Sequence, residues 1–327
     1  MDYLAEARRR GASDLHLHLQ LPPFVRVDGL LQPLNLPAVK LQDMEEVMAR
    51  LLPVAAREEL AQLGELDAAY TDAAGYRYRI NAFLQEGQQA LVIRLLREEL
   101  PSCEELGLPP ALVQCVQLRE GLVLVCGATG SGKSTTLAAL LERMNVEKHL
   151  HIITLEEPIE YIHPSRGCLF SQREVGRDTR SFASGLRTAL REDPDVILVG
   201  ELRDEETMAT ALTAAETGHL VLATLHTQNA VAAISRIIDS FPDHAGLIKN
   251  QLATCLQAIS CQELLPRAQG GGRVAAFEIL TRTPALSNLI REGKLHQIGS
   301  YIQTGGAQGM IAKEAYLEKL RQQGIIF

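Results

Sequence analysis

The chain has 327 residues, enough for two domains at the usual size of about 100–200 residues each. Its composition, 46% hydrophobic and 22% charged, is that of a folded globular protein and excludes extensive disorder. A formal net charge of -8 gives no basic field to attract a phosphate backbone, so no nucleic-acid partner is expected. The start, MDYLAEARRR, lacks the apolar stretch of a signal peptide, and no run of about 18 apolar residues follows, so a cytoplasmic chain without a membrane span is expected. Six cysteines, Cys103, Cys115, Cys126, Cys168, Cys255 and Cys261, include no CxxC pair and fit reduced thiols better than disulfides or zinc.

Arg8 to Arg10 read as the solvated last turn of a first helix that ends at Gly11. Residues 13–30, SDLHLHLQLPPFVRVDGL, alternate apolar and polar on either side of a Pro-Pro break, the period of half-buried strands, and predict a hairpin. His16 and His18 share a face of it and, lacking Cys or carboxylate company, read as surface strand residues and not as ligands. Residues 41–63 predict helix, and 76–96 predict two strands joined near Glu86-Gly87. These elements make an α+β domain over residues 1–100. The proline-rich stretch LPSCEELGLPP predicts a linker over 101–110. From 111 to 327 the pattern changes to short, continuously apolar strands at 122–126, 152–155, 196–200 and 219–225, separated by helical segments. Uninterrupted apolar strands indicate a mainly parallel sheet covered on both faces, hence an α/β domain.

The stretch GATGSGKS, Gly127 to Ser134, fills the pattern GxxxxGK[ST] between a predicted strand and a predicted helix, the context such a loop requires. The backbone N–H groups of Gly127, Ala128, Thr129, Gly130, Ser131 and Gly132 can turn inward around phosphates. Lys133 reaches the terminal phosphates, Ser134 offers its hydroxyl to Mg²⁺, and Thr135 completes the nucleotide-binding run. The expected ligands are ATP and Mg²⁺.

Two acidic segments follow. DVILVGE presents Glu201 at the carboxyl end of a strand, where the second acidic group of a P-loop ATPase belongs and where it can polarise water or hold Mg²⁺ through water. Gly200 occupies the place of the usual aspartate. HIITLEEPIEYIH puts Glu156, Glu157 and Glu160 just beyond another buried strand, where a carboxylate can orient an attacking water, although a charged surface turn explains the three glutamates as well. In TAAETGHLVLATLHT, His219 and His226 stand at the two ends of one apolar strand, roughly 23 Å apart, too far to share a metal. The residues alone favour two ordinary strand-end histidines.

Taken in order, GATGSGKSTT, TLEEPIEYIH, DPDVILVGELRD and TAAETGHLVLATLHT resemble the four boxes of the secretion-superfamily ATPases of type IV pili and type II secretion. The resemblance covers nearly the whole chain. QREVGRDTRSFASGLRTALREDPDVILVGELRD and ALSNLIREGK resemble the retraction subgroup that drives twitching motility. The long extra N-terminal domain and four-cysteine zinc module usual in the assembly and secretion members are therefore not expected.

The resemblance implies a PAS-like α+β domain before a RecA-like P-loop ATPase domain with a C-terminal helical region. It also implies a homo-hexamer, with nucleotide between the two domains, working on an inner-membrane pilus platform protein from the cytoplasmic face of the membrane. By the same resemblance Lys133 and Ser134 form the Walker A site, Glu201 is the atypical Walker B glutamate, and Glu156 positions water. His219 and His226 form the histidine box, while Arg79 and Arg94 close onto the phosphates. Arg77 is a weaker candidate for that role. Glu157 departs from the family's usual aspartate. Alternative readings are a pilus extension or type II secretion ATPase, and a nucleotide-dependent switch that performs no work.

Overall fold

The computed structural model describes residues 2–27, 29–96, 100–269 and 271–327. Asp28 of the VRVDG stretch and residues 97–99 at the end of the predicted first domain lie outside the described residues. The chain divides into two compact units, Met1–Glu99 and Leu100–Phe327.

The first unit opens with α1 (Tyr3–Arg9), whose N-cap Asp2 accepts from the Ala5 N–H, and which gives way to Gly11 at φ 65. Arg8 is not the solvated residue its position suggested. Its guanidinium pairs with Asp72 at 2.8 Å and lies 4.0 Å from the Tyr76 ring centre. The strands β1 (Asp14–His18), β2 (Phe24–Val27) and β3 (Leu30–Pro33) are followed by α2 (Leu41–Leu51) and α3 (Val54–Leu63), then by β4 (Glu65–Thr71), β5 (Arg77–Gln85) and β6 (Gln88–Leu95). All six strands join one antiparallel sheet in the order β3-β2-β1-β6-β5-β4.

The single helix expected over 41–63 is two. Pro53 disfavours helical geometry at Leu52, which is extended at φ -119 and ψ 126, and the chain restarts as α3. The turn between β5 and β6 has Glu86 at φ 52 and Gly87 at φ 75, the twist of a two-residue hairpin. Leu15, Leu17, Tyr78, Ile80, Leu91 and Ile93 point from the strands to Met44, Met48 and Leu60 of the helices. By the strand period, His16, His18, Arg79 and Arg94 lie on the opposite face of the sheet.

In the second unit, residues 101–110 do not run free as a linker. Cys103 and Leu108 are buried in a core with Leu140 and Leu141. After the short α4 (Pro110–Val113) come β7 (Gly121–Cys126), α5 (Lys133–Glu147), β8 (His151–Glu156), β9 (Leu169–Glu174), α6 (Phe182–Ala189), β10 (Val196–Val199), α7 (Glu205–Glu216) and β11 (Leu220–Leu225). The chain continues through α8 (Ala230–Asp239), α9 (Ala245–Cys255), β12 (Leu256–Pro266), β13 (Arg273–Thr281), α10 (Pro284–Arg291), α11 (Ile298–Thr304) and α12 (Lys313–Gln322).

The seven strands order as β13-β12-β7-β11-β10-β8-β9, parallel except for β13. Every residue of β7 and β11 is buried, because helices cover both faces. Leu122 and Leu124 enter one core, while Val123 and Val125 enter the other. The parallel register puts the carboxyl ends of β7, β8, β10 and β11 along one edge of the sheet, the side on which open α/β sheets bind ligands.

Candidate active site

Each of these four strands delivers one motif to this edge. After β7, the chain bends at Gly127 (φ 146), Gly130 (φ 75) and Gly132 (φ 90), angles that side chains beyond glycine rarely adopt. Gly127 is also short of space, since a Cβ would stand 2.4 Å from the Gln262 carbonyl oxygen. No side chain caps α5 at its Gly132 start, so its first N–H groups remain available to an anion. Lys133 is buried, and its Nζ donates to the carbonyls of Gly127 at 2.9 Å and Ala128 at 3.0 Å. Burial pulls the Lys133 pKa down, while the negative charges of Glu201 and Glu160 oppose that shift. Ser134 is exposed in the first turn, and the Thr135 hydroxyl meets the Tyr161 hydroxyl at 3.0 Å.

Glu201 follows β10. The glycine before it has a steric reason, because a Cβ at Gly200 would lie 3.0 Å from the Leu155 carbonyl oxygen of the neighbouring strand. One carboxylate oxygen of Glu201 accepts from Arg203 Nε at 2.8 Å, and the other lies 3.4 Å from His226 Nε2. Arg203 also grips Glu157, so the glutamate that departs from the family pattern is tied to the same cation as Glu201.

Glu156 ends β8 on the same edge. Its Oε1 accepts from the Thr154 hydroxyl at 2.7 Å and from Gln172 Nε2 at 3.4 Å. Glu156 as a whole residue is half-buried, protein crowds its carboxyl group closely, and this desolvation pushes its pKa up to about 7. Gln172 also donates to the Tyr161 carbonyl at 2.8 Å and accepts from the His163 N–H at 2.8 Å, so it fixes the segment after Glu156 as well.

The structure therefore brings Lys133, Glu201, Glu156 and His226 to one edge. It does not bring His219 there. That residue precedes β11, its Nδ1 lies 3.1 Å from the Ala214 carbonyl oxygen, and the length of the strand separates it from His226 by roughly 23 Å. Arg79 and Arg94, in the first unit, are direct cross-strand partners on one face. Arg94 Nε binds Asp14 Oδ1 at 3.0 Å, and Arg79 Nε lies 3.8 Å from Asp67.

Sequence reasoning missed Arg203, Thr154 and Gln172. Thr154 carried a signal, since a residue two before Glu156 in a strand shares its face. Arg203 was visible in GELRD without a partner, and Gln172 lies on β9, a strand that the apolar pattern does not reveal.

A phosphate loop between a parallel strand and a helix, beside carboxylates at the ends of neighbouring strands, defines a RecA-like P-loop ATPase domain. The chain belongs to the Type II/IV secretion system protein family, whose pattern its residues 1–314 match. It is 45% identical over 326 residues to the type IV pilus retractation ATPase PilT of Pseudomonas aeruginosa, covering 99% of this chain and 94% of that one. It is 49% identical over 313 residues to the protein YggR of Escherichia coli strain K12, with 95% and 94% covered. The crystal structure of the pilus retraction motor PilT with bound ADP superimposes with a TM-score of 0.92 at 44% identity, over 99% of this chain and 93% of that one. Among the described residues, no helix is long and apolar enough to cross a membrane.

Proposed function

We propose that this protein is a hexameric, ATP-hydrolysing motor of type IV pilus retraction. The observation that carries the reading is the gathering of the phosphate loop, Glu156 and Glu201 on one sheet edge, in a chain similar to a retraction ATPase over nearly its whole length. The loop N–H groups and Lys133 hold the phosphates. The exposed Ser134 hydroxyl and the Glu201 carboxylate are the hard oxygen donors that Mg²⁺ prefers, Ser134 directly and Glu201 through water, and the ion would neutralise charge on the phosphates.

Glu156, held by Thr154 and Gln172, accepts a proton from the attacking water. Arg203 and His226 fix the direction of Glu201. Arg79 and Arg94 supply fixed positive charge as the phosphoryl group departs, and His219 acts away from the phosphates of its own subunit. The PAS-like first domain and the RecA-like second turn hydrolysis into domain rotation. The resulting work acts on the platform protein at the cytoplasmic face of the inner membrane.

Purified protein should elute as a six-subunit ring and release phosphate steadily, and Glu201→Gln should abolish release while ATP still binds. Deleting the gene should leave cells piliated but unable to twitch. Loss of surface pili would instead assign the motor to extension.

A further inference from the structure

Gln262 lies on β12, outside every motif of the site, and is buried to 5% exposure. Its neighbour Cys261 pairs in register with Cys126, the last residue of β7, so Gln262 stands level with the first glycine of the phosphate loop. Its side chain uses both ends. Nε2 donates to the Ser131 carbonyl at 2.7 Å, and Oε1 accepts from the buried Thr136 hydroxyl at 3.0 Å. A Cβ on Gly132 would lie 3.1 Å from Nε2, and one on Gly127 would lie 2.4 Å from the Gln262 backbone oxygen. The loop is thus seated on Gln262 at its first glycine, at its fifth and sixth residues, and at the helix that follows.

We infer that Gln262 is a positioning residue for nucleotide, holding the phosphate loop in its binding shape from the side away from the phosphates. The inference rests on the phosphate-loop reading above. Lys133 places two of its three N–H donors on the Gly127 and Ala128 carbonyls, bonds that can shift when Nζ turns to a phosphate. The bonds of Gln262 go to Ser131 and Thr136 and need not change when nucleotide enters. A loop held from only one side would have to be ordered by the nucleotide itself, and that cost falls on affinity. Because Gln262 touches no reacting atom, its loss raises KM and leaves kcat at saturating ATP nearly unchanged.

The test uses the full chain and fluorescent ADP. Gln262→Glu keeps the length and the acceptor for Thr136 but sets a carboxylate oxygen against the Ser131 carbonyl. Gln262→Met keeps the length without either bond, and serves if the glutamate variant fails to fold. The nucleotide-free loop can relax to give the Ser131 carbonyl a water partner, whereas the bound loop must hold it unpaired, and that difference weakens binding by about tenfold or more in Kd. Thr136→Val, which spares the bond to Ser131, should weaken it less. Each variant is read alongside its melting curve without nucleotide.

A Kd within about twofold of the parent in a folded variant, or a fall in kcat with KM unchanged, would overturn the inference. Lys133→Ala separates the two levels. If it binds ADP as the parent does, the loop reading itself fails. If it loses ADP while Gln262→Glu and Gln262→Met bind normally, only the role of Gln262 fails.

Discussion

Glu156 is the proton acceptor of the proposed reaction, and its charge is set by pH. Its pKa, pushed up to about 7 from the model-compound value of 4.5, leaves the carboxylate about one-tenth ionised at pH 6, half at pH 7 and nine-tenths at pH 8. A proton acceptor works only when ionised, so phosphate release at saturating ATP and Mg²⁺ should rise about tenfold from pH 6 to pH 8. Thr154 donates to this carboxylate and thereby favours its charged form, so Thr154→Val should move the rise to higher pH.

Stability should respond in the opposite sense. A carboxyl whose folded pKa lies above its unfolded value contributes stability below pH 4.5 and loses it as the pH climbs through 7. Thermal melting across that range, beside a Glu156→Gln variant that lacks the effect, separates it from other titrations. Release that is flat between pH 6 and 8, or that keeps its rise in Glu156→Gln, would refute the assignment of Glu156 as the base.

Three other perturbations probe the rest of the site. Lys133→Ala removes the cation facing the terminal phosphates and should abolish ATP binding in a titration. Arg203→Ala frees Glu201 and Glu157; because Arg203 is half exposed, its ion pairs add little stability, so turnover should fall about tenfold while the melting temperature moves by no more than about 2 °C. Arg94→Ala should lower turnover more than ATP affinity. It also removes the ion pair to the buried Asp14, which keeps its bond from the Ser13 hydroxyl at 2.8 Å; because Arg94 is half exposed this costs only about 1 kcal/mol, and Asp14→Asn, which should melt slightly early yet turn over normally, is the necessary control.

The sequence by itself determined the phosphate loop, because the spacing of Gly127, Gly132, Lys133 and Ser134 is local chemistry that a strand-to-helix turn imposes. It also determined the central strands, whose unbroken apolar runs are the direct mark of burial on both faces. The carboxylates were visible as residues, but their grouping was not. Glu156 and Glu201 lie far apart in the chain and come to the same sheet edge only because β8 and β10 pair in parallel register.

Only the tertiary structure decided what surrounds them. Arg203 reaches Glu157, Gln172 reaches Glu156 from β9, and Gln262 reaches under the phosphate loop from β12. Such contacts depend on strand order, which no periodicity records. The separation of His219 from His226, by contrast, was already legible in the sequence, since a straight strand holds its two ends at opposite edges of the sheet whatever residues occupy them.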